Sequence, residues 1–378
     1  MEESMKIERI QPFLVGRCLL VRVYTDEGIV GTGEAGLWAH HRWVYEALLD
    51  LADYYVGKDP RRMEHHFQVV SRSTHFMGSV LSAAMSAMDV AMWDILARSV
   101  NLPIHQLLGG KVRDKVKVFA NVTGNTLDAR ARSAAEQVAR GFLSLRTLPF
   151  FPGWAAQTPT KKIKDAVDIV RVIREAVGDE IDLGLEIHRN MLPDEAILLA
   201  QELAPYRVLY YEDPLAPESV EALEYVVRHV DLPIATGERF YSIYQFRELI
   251  DKKTVAWIRP DLSLAGGYSQ VSKIAGMAEA SFVGVFPHLM GSPVNTAAFI
   301  QFDAATYNFV LHEYNSANEH PLNEIIDPPL VYRDGYILVP DGPGIGVDVR
   351  EEKLSKFPYE PRGVNASWQA DGAVAISP

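Results

Sequence analysis

Six ionisable residues, Glu186, Glu212, Glu238, Asp261, His288 and Glu313, each follow a short apolar run, and they recur at separations of 26, 26, 23, 27 and 25 residues. The runs include Asp182-Leu183-Gly184-Leu185, Leu232-Pro233-Ile234-Ala235 and Val283-Gly284-Val285-Phe286, with helix-like sequence between them. Such a run reads as a buried parallel strand, and the residue after it as the strand's C-terminal end. In a (β/α)8 barrel those ends converge on one face. Acids far apart in the chain then become one cluster in space.

At 378 residues the chain exceeds one barrel, and 48% hydrophobic content supplies a large core. The surplus lies mainly ahead of the ladder. Cys18–Tyr24 and Ile29–Glu34 flank the acidic, Gly-terminated turn Thr25-Asp26-Glu27-Gly28, a hairpin pattern, and helical sequence follows near Arg42–Tyr55 and Ser82–Leu96. The expected organisation is α/β: a modified (β/α)8 TIM-type barrel over 114–340, an N-terminal α+β capping domain over 1–113, and a segment 341–378 that folds back on that cap. Val116–Ala120 and Leu143–Thr147 read as the first two barrel strands.

Three carboxylates on consecutive strands, Glu186, Glu212 and Glu238, can present oxygens to one hard cation, and Mg²⁺ suits an all-oxygen site. Asp261 and His288, on the next two strands, form a pair in which the acid fixes the imidazole tautomer and stabilises its protonated form, as a general base requires. His188, two residues past Glu186, faces the same way if the strand stays extended; it could be an acid for a leaving hydroxyl or merely hydrogen-bond a carboxylate. Glu313 could exchange a proton at a substrate carboxylate or only brace the barrel. A cation beside a base suits removal of a proton α to a carboxylate, because the enediolate formed concentrates negative charge; enolase-type sites with Mg²⁺ and a Lys or His base are a standard worked case.

These residues resemble the enolase superfamily, in its mandelate racemase branch, and within it the acid-sugar dehydratases of gluconate and galactonate type. The resemblance rests on Gly33-Glu34-Ala35-Gly36-Leu37-Trp38, Met88-Asp89-Val90-Ala91-Met92-Trp93-Asp94, Leu107-Leu108-Gly109-Gly110, Tyr211-Glu212-Asp213-Pro214, Thr236-Gly237-Glu238-Arg239, Arg259-Pro260-Asp261 and Pro287-His288. It implies Glu186, Glu212 and Glu238 as Mg²⁺ ligands, Asp261 and His288 as the base dyad, Glu313 as the eighth-strand carboxylate, loops around Trp38 and His75 as a specificity lid, and a homo-oligomer. Two positions depart from the branch. Glu186 stands where Asp is common, so an extra methylene must be absorbed. Arg146 stands where racemases carry a lysine base on the second strand; an arginine stays protonated and serves better as an electrostatic clamp. The implied reaction is dehydration of a small-molecule sugar acid to a 2-keto-3-deoxy acid, with His288 as base and His188 as acid. A racemase, epimerase or cycloisomerase of the same superfamily, or a catalytically silent barrel, is the alternative.

A formal charge of −12 and a pI near 5.4 argue against nucleic acid as a partner. No run reaches about 18 consecutive apolar residues, so no membrane partner is expected. The single cysteine, Cys18, and the acidic start Met1-Glu2-Glu3 suit a cytoplasmic protein. Gly31-Thr32-Gly33-Glu34-Ala35-Gly36 matches the dinucleotide fingerprint GxGxxG but lacks its strand-helix-strand context. Trp38, His40 and His41 are candidates for contact with a polyol.

Overall fold

The computed structural model describes residues 5–314 and 319–376. The chain opens with an antiparallel sheet of β1 (Ile7–Val15), β2 (Cys18–Thr25) and β3 (Val30–Glu34), followed by α1 (His41–Tyr55), α2 (Met63–Ser73), α3 (Ser79–Ser99) and the single turn α4 (Ile104–Leu107). The glycines of the apparent dinucleotide fingerprint lie in and just after β3, and their role is steric. A Cβ on Gly31 or Gly33 would stand 2.0 Å from the carbonyl oxygen of Ala91 or Ala87, so only glycine lets the strand lie directly on α3. The helix answers with small residues: Ala83, Ala84, Ala87 and Ala91 are fully buried. Although α3 is long and apolar enough to cross a bilayer, 78% of its most apolar window is buried inside the protein. A helix apolar on all sides belongs in such a core.

The second unit is a barrel. Its strands are β4 (Lys115–Val122), β5 (Ser144–Thr147), β6 (Asp182–Glu186), β7 (Tyr210–Glu212), β8 (Ile234–Thr236), β9 (Trp257–Ile258), β10 (Gly284–Val285) and β11 (His312–Glu313). They pair in parallel in chain order; β11 pairs with β4, and Val285 bridges Phe309 just ahead of β11, which closes the ring. Between them run α5 (Leu127–Ala139), α6 (Pro159–Val177), α7 (Pro193–Glu202), α8 (Val220–Val227), α9 (Ile243–Asp251), α10 (Gly267–Ala280) and α11 (Pro293–Ala305). Hydroxyl caps start several of these helices: Thr126, Ser219, Ser242 and Ser292 each accept a backbone N–H from the first turn. Inside the ring, Phe119, Tyr210, Ala235, Phe286 and Leu311 form a buried apolar layer. Gly184 makes room for it, since a Cβ there would lie 2.0 Å from the Tyr210 ring.

Cap and barrel meet along a buried polar seam. Ser82 Oγ donates to Leu264 O at 2.7 Å, Gly266 N to Ser86 Oγ at 2.8 Å, and Ser269 N to Asp89 Oδ1 at 3.1 Å. Asp94 accepts Thr32 N and Ile345 N, each at 2.9 Å. Glu34, at the end of β3, accepts Ser292 N at 2.9 Å and also the Ser292 hydroxyl, at the start of α11. Burial raises the Glu34 pKa to about 7 despite these donors. An acid with a raised folded pKa costs nothing below its unfolded value near 4.3, costs more as pH climbs, and costs a constant amount above its folded pKa. Glu34→Gln is therefore expected to be more stable than wild type at pH 8, by up to about 3.7 kcal/mol, and to melt higher there, with the gap closing toward pH 5. Melting curves at four pH values test this; a gap independent of pH would refute it.

Candidate active site

The parallel register sets the first two carboxylates side by side, because Glu186 pairs with Glu212 across β6 and β7. Glu238 arrives two residues beyond β8 through Gly237, whose φ of 127° excludes most side chains and whose Cβ would meet Phe246 at 2.7 Å. Oxygens of Glu186, Glu212 and Glu238 lie within 4.8 Å of one another. On the loop after β9, Asp261 Oδ1 accepts Ser263 N at 2.8 Å and Ser263 Oγ at 2.5 Å, which fixes its other oxygen for His288 Nδ1 at 2.8 Å. With Nδ1 donating to Asp261, the His288 Nε2 edge is left toward Glu238, 3.7 Å from its Oε2.

Three guanidiniums thread this cluster. Arg146, on β5, lies over the Phe119 ring; its Nη1 is 3.2 Å from Glu186 Oε2 and 3.0 Å from Glu212 Oε1, its Nη2 is 2.6 Å from Glu313 Oε1, and its Nε donates to Asn121. Arg259, fully buried over Phe286, has Nε 3.0 Å from Glu212 Oε1, in ion-pair contact rather than a directed hydrogen bond, and donates from Nη2 to Glu313 Oε2 at 3.0 Å. Arg189 bonds both Glu238 and Asp213. Five carboxylates (Glu186, Glu212, Asp213, Glu238 and Glu313) thus face three guanidiniums, and Asp261 faces His288. Glu212 Oε2 is buried with no hydrogen-bond partner among the described residues. An excess of buried negative charge, an orphaned oxygen and an all-oxygen donor set fit a hard divalent cation at Glu186, Glu212 and Glu238.

The titration directions follow from burial against these neighbours. Burial raises Glu212 to about 8 and also raises Glu186, in both cases against the pull of Arg146. At Glu313, burial is overridden by Arg146 and Arg259, which hold it below the usual range and ionised. At His288, burial works downward, but Glu238 and Asp261 prevail and bring the imidazole to about 9. His188 moves the other way, to about 4, through burial and the adjacent Arg189 cation.

The candidate residues occupy distinct places. Glu186, Glu238, Asp261, His288, Glu313, Arg146 and His188 line one open cavity of about 930 Å³, with Trp38 and His40 at its rim. His75 is exposed and outside that lining. The strand argument for His188 does not hold, since β6 ends at Glu186 and His188 and Arg189 have φ of 53° and 66°. A left-handed turn, uncommon without glycine, presents the ring. His188 Nε2 receives an N–H from Arg189 Nη2 at 2.8 Å. Arg146 has its donors committed to acids and Asn121, so it positions carboxylates. Both oxygens of Glu313 are held by guanidiniums, the geometry of a brace. Sequence reasoning did not assign Arg189, Arg259 or the tail residues Arg362–Asn365 to the site; Arg259 was in view within Arg259-Pro260-Asp261, and its place at a strand end was the available signal.

Residues 13–109 match the family described as mandelate racemase / muconate lactonizing enzyme, N-terminal domain, and residues 129–353 match the enolase C-terminal domain-like family. D-galactonate dehydratases from Klebsiella pneumoniae (strain 342) and Pectobacterium atrosepticum are each 35% identical to the chain, over 98% of it and 100% of their own length. Among solved structures, an enolase from Agrobacterium radiobacter, provisionally described as a galactarate dehydratase and bound to sodium and L-malate, superposes with a TM-score of 0.92 at 30% identity, covering 98% of this chain and 99% of that one. A member of the enolase superfamily from Salmonella Typhimurium gives a TM-score of 0.88 at 28% identity, over 94% of this chain and 98% of that one.

Proposed function

Because the chain belongs to the mandelate racemase / muconate lactonizing enzyme family of the enolase superfamily, we propose that it is an acid-sugar dehydratase, a hydro-lyase that converts a sugar acid to a 2-keto-3-deoxy acid. The observation that carries this reading is the oriented Asp261–His288 pair, its Nε2 edge 3.7 Å from Glu238, beside the cluster of Glu186, Glu212 and Glu238. Full-length similarity to two D-galactonate dehydratases supports dehydration over other chemistries of the fold.

Glu186, Glu212 and Glu238 would hold Mg²⁺, which when bound offsets the negative charge that develops on a substrate carboxylate. His288, in its neutral form, takes the C2 proton on Nε2. Asp261 and Glu238, which favour the imidazolium, strengthen it as a base. His188 gives a proton to the C3 hydroxyl as the C3–O bond breaks, and the enol product tautomerises to the keto acid. Arg146 and Arg259 keep Glu313 ionised and hold Glu212 in place. A second base is not available at β5, since Arg146 stays protonated, and this weighs against two-base racemisation.

The test is a screen of the protein with Mg²⁺ against stereochemically complete aldonic and aldaric acids, detecting 2-keto-3-deoxy products and, in D2O, deuterium at C2. Keto-acid formation from at least one acid is expected, abolished by a chelator and restored by Mg²⁺. Undiminished turnover after chelation would overturn the metal assignment. Deuterium uptake without keto acid would overturn dehydration in favour of racemisation.

A further inference from the structure

The mouth of the cavity is charged differently from its floor. The carboxylates in its lining are mostly buried, while four consecutive residues of the C-terminal tail, Arg362 to Asn365, line it from the exposed side. The tail is held in place there. Gly16 N donates to Phe357 O at 3.1 Å, Glu360 N donates to Gly16 O at 2.7 Å, and the Tyr359 ring lies between His41 and Arg42 at the start of α1. Arg362 then lies on the Trp38 indole, with its Cζ 3.5 Å from the ring centroid. Trp38 is itself tied toward the chemistry: Gly36 N donates to Ser263 O at 2.8 Å, and Ser263 holds Asp261.

A guanidinium stacked on an aromatic face keeps its N–H edges free in its own plane, where they match the two oxygens of a carboxylate. Arg362 has no carboxylate partner among the described residues. Of the cations nearby, Arg239 in the cavity lining is matched by Glu218 and Arg17 by Glu360, each at 3.2 Å, while Arg42 lies on Tyr359 outside the lining. Among the described residues that line the cavity, Arg362 is therefore the arginine without a carboxylate partner, and it lies on Trp38 beside the cavity that would take one carboxylate of the substrate on its floor.

We propose that Arg362, laid on Trp38, binds a second oxyanion at the far end of the substrate, so that dianionic sugar acids, aldaric acids first among them, are preferred over aldonic acids. This rests on the sugar-acid reading above and names the class within it. A terminal carboxylate and a terminal phosphate share the chemistry, and the assay separates them.

The experiment compares an aldonate, the aldarate and the terminally phosphorylated aldonate of matching configuration. The readout is kcat/KM with Mg²⁺ for wild type, Arg362→Gln and Arg362→Lys. Wild type is expected to prefer one of the dianions by roughly ten- to a hundredfold, the range of a charge-assisted hydrogen bond. The aldarate leads if the rim fits a carboxylate, the phosphate ester if it fits a phosphate. Arg362→Gln should erase that ratio mainly through KM, and Arg362→Lys should keep part of it. Calorimetry with unreactive adipate against hexanoate reads the same preference without turnover, so a failure of the dehydration reading leaves this test intact. Equal use of mono- and dianions by wild type, or an equal loss for both classes in Arg362→Gln, would overturn the proposal.

Discussion

His288→Asn is expected to lower the dehydration rate by on the order of 10³–10⁴-fold and to remove deuterium exchange at C2 altogether, since a positioned general base contributes up to about that factor. Asn can still donate to Asp261 Oδ2, which His288 Nδ1 engages at 2.8 Å, so the loop after β10 keeps its anchor. It has no basic nitrogen at the position of Nε2. The two signals should therefore vanish together while the fold, read by circular dichroism, is retained. Product formation by keto-acid assay and exchange by proton NMR in D2O read them separately. Exchange at the wild-type rate in His288→Asn would mean that another group removes the proton.

The floor of this site was legible because its residues obey a period. Parallel strands alternating with helices return to the same barrel end at nearly constant pitch, so Glu186 and Glu212 come together through register and Glu238 through the turn at Gly237. Asp261 and His288 follow the same rule on their loops. What the period could not convey is which cations answer those acids. Arg189 and Arg259 look in sequence like any charged residue at a strand end, and only the closed barrel shows Arg259 wholly buried between Glu212 and Glu313. A buried cation of that kind is tolerated because acids surround it on both sides.

Local rules misled where backbone geometry departs from the element it follows. His188 was placed by strand alternation, which ends at Glu186. The glycines at Gly31 and Gly33 resemble a phosphate loop because both settings need a backbone to approach closely; here the partner is α3 rather than a nucleotide. No pattern in the sequence relates Arg362 in the tail to Trp38. That contact depends on where two loops happen to end in space.

The second large effect is expected at His188. His188→Asn should leave C2 exchange within a fewfold of wild type, because Asp261 and His288 are untouched, yet depress dehydration by about 10²–10³-fold through loss of the acid that assists the leaving hydroxyl. The structure makes this a demanding test. Arg189 donates to His188 Nε2, so the ring's own proton sits on Nδ1, and burial with the Arg189 charge holds its pKa down at about 4. A ring kept neutral is a weaker acid than an imidazolium, and the competing route is one in which His288, having taken the C2 proton, hands it to the hydroxyl. The two routes divide on one observation. If His188→Asn exchanges C2 but accumulates no keto acid, His188 supplies the leaving-group proton. If it dehydrates at the wild-type rate, that proton is returned by His288, and His188 serves to hold Arg189 against Glu238.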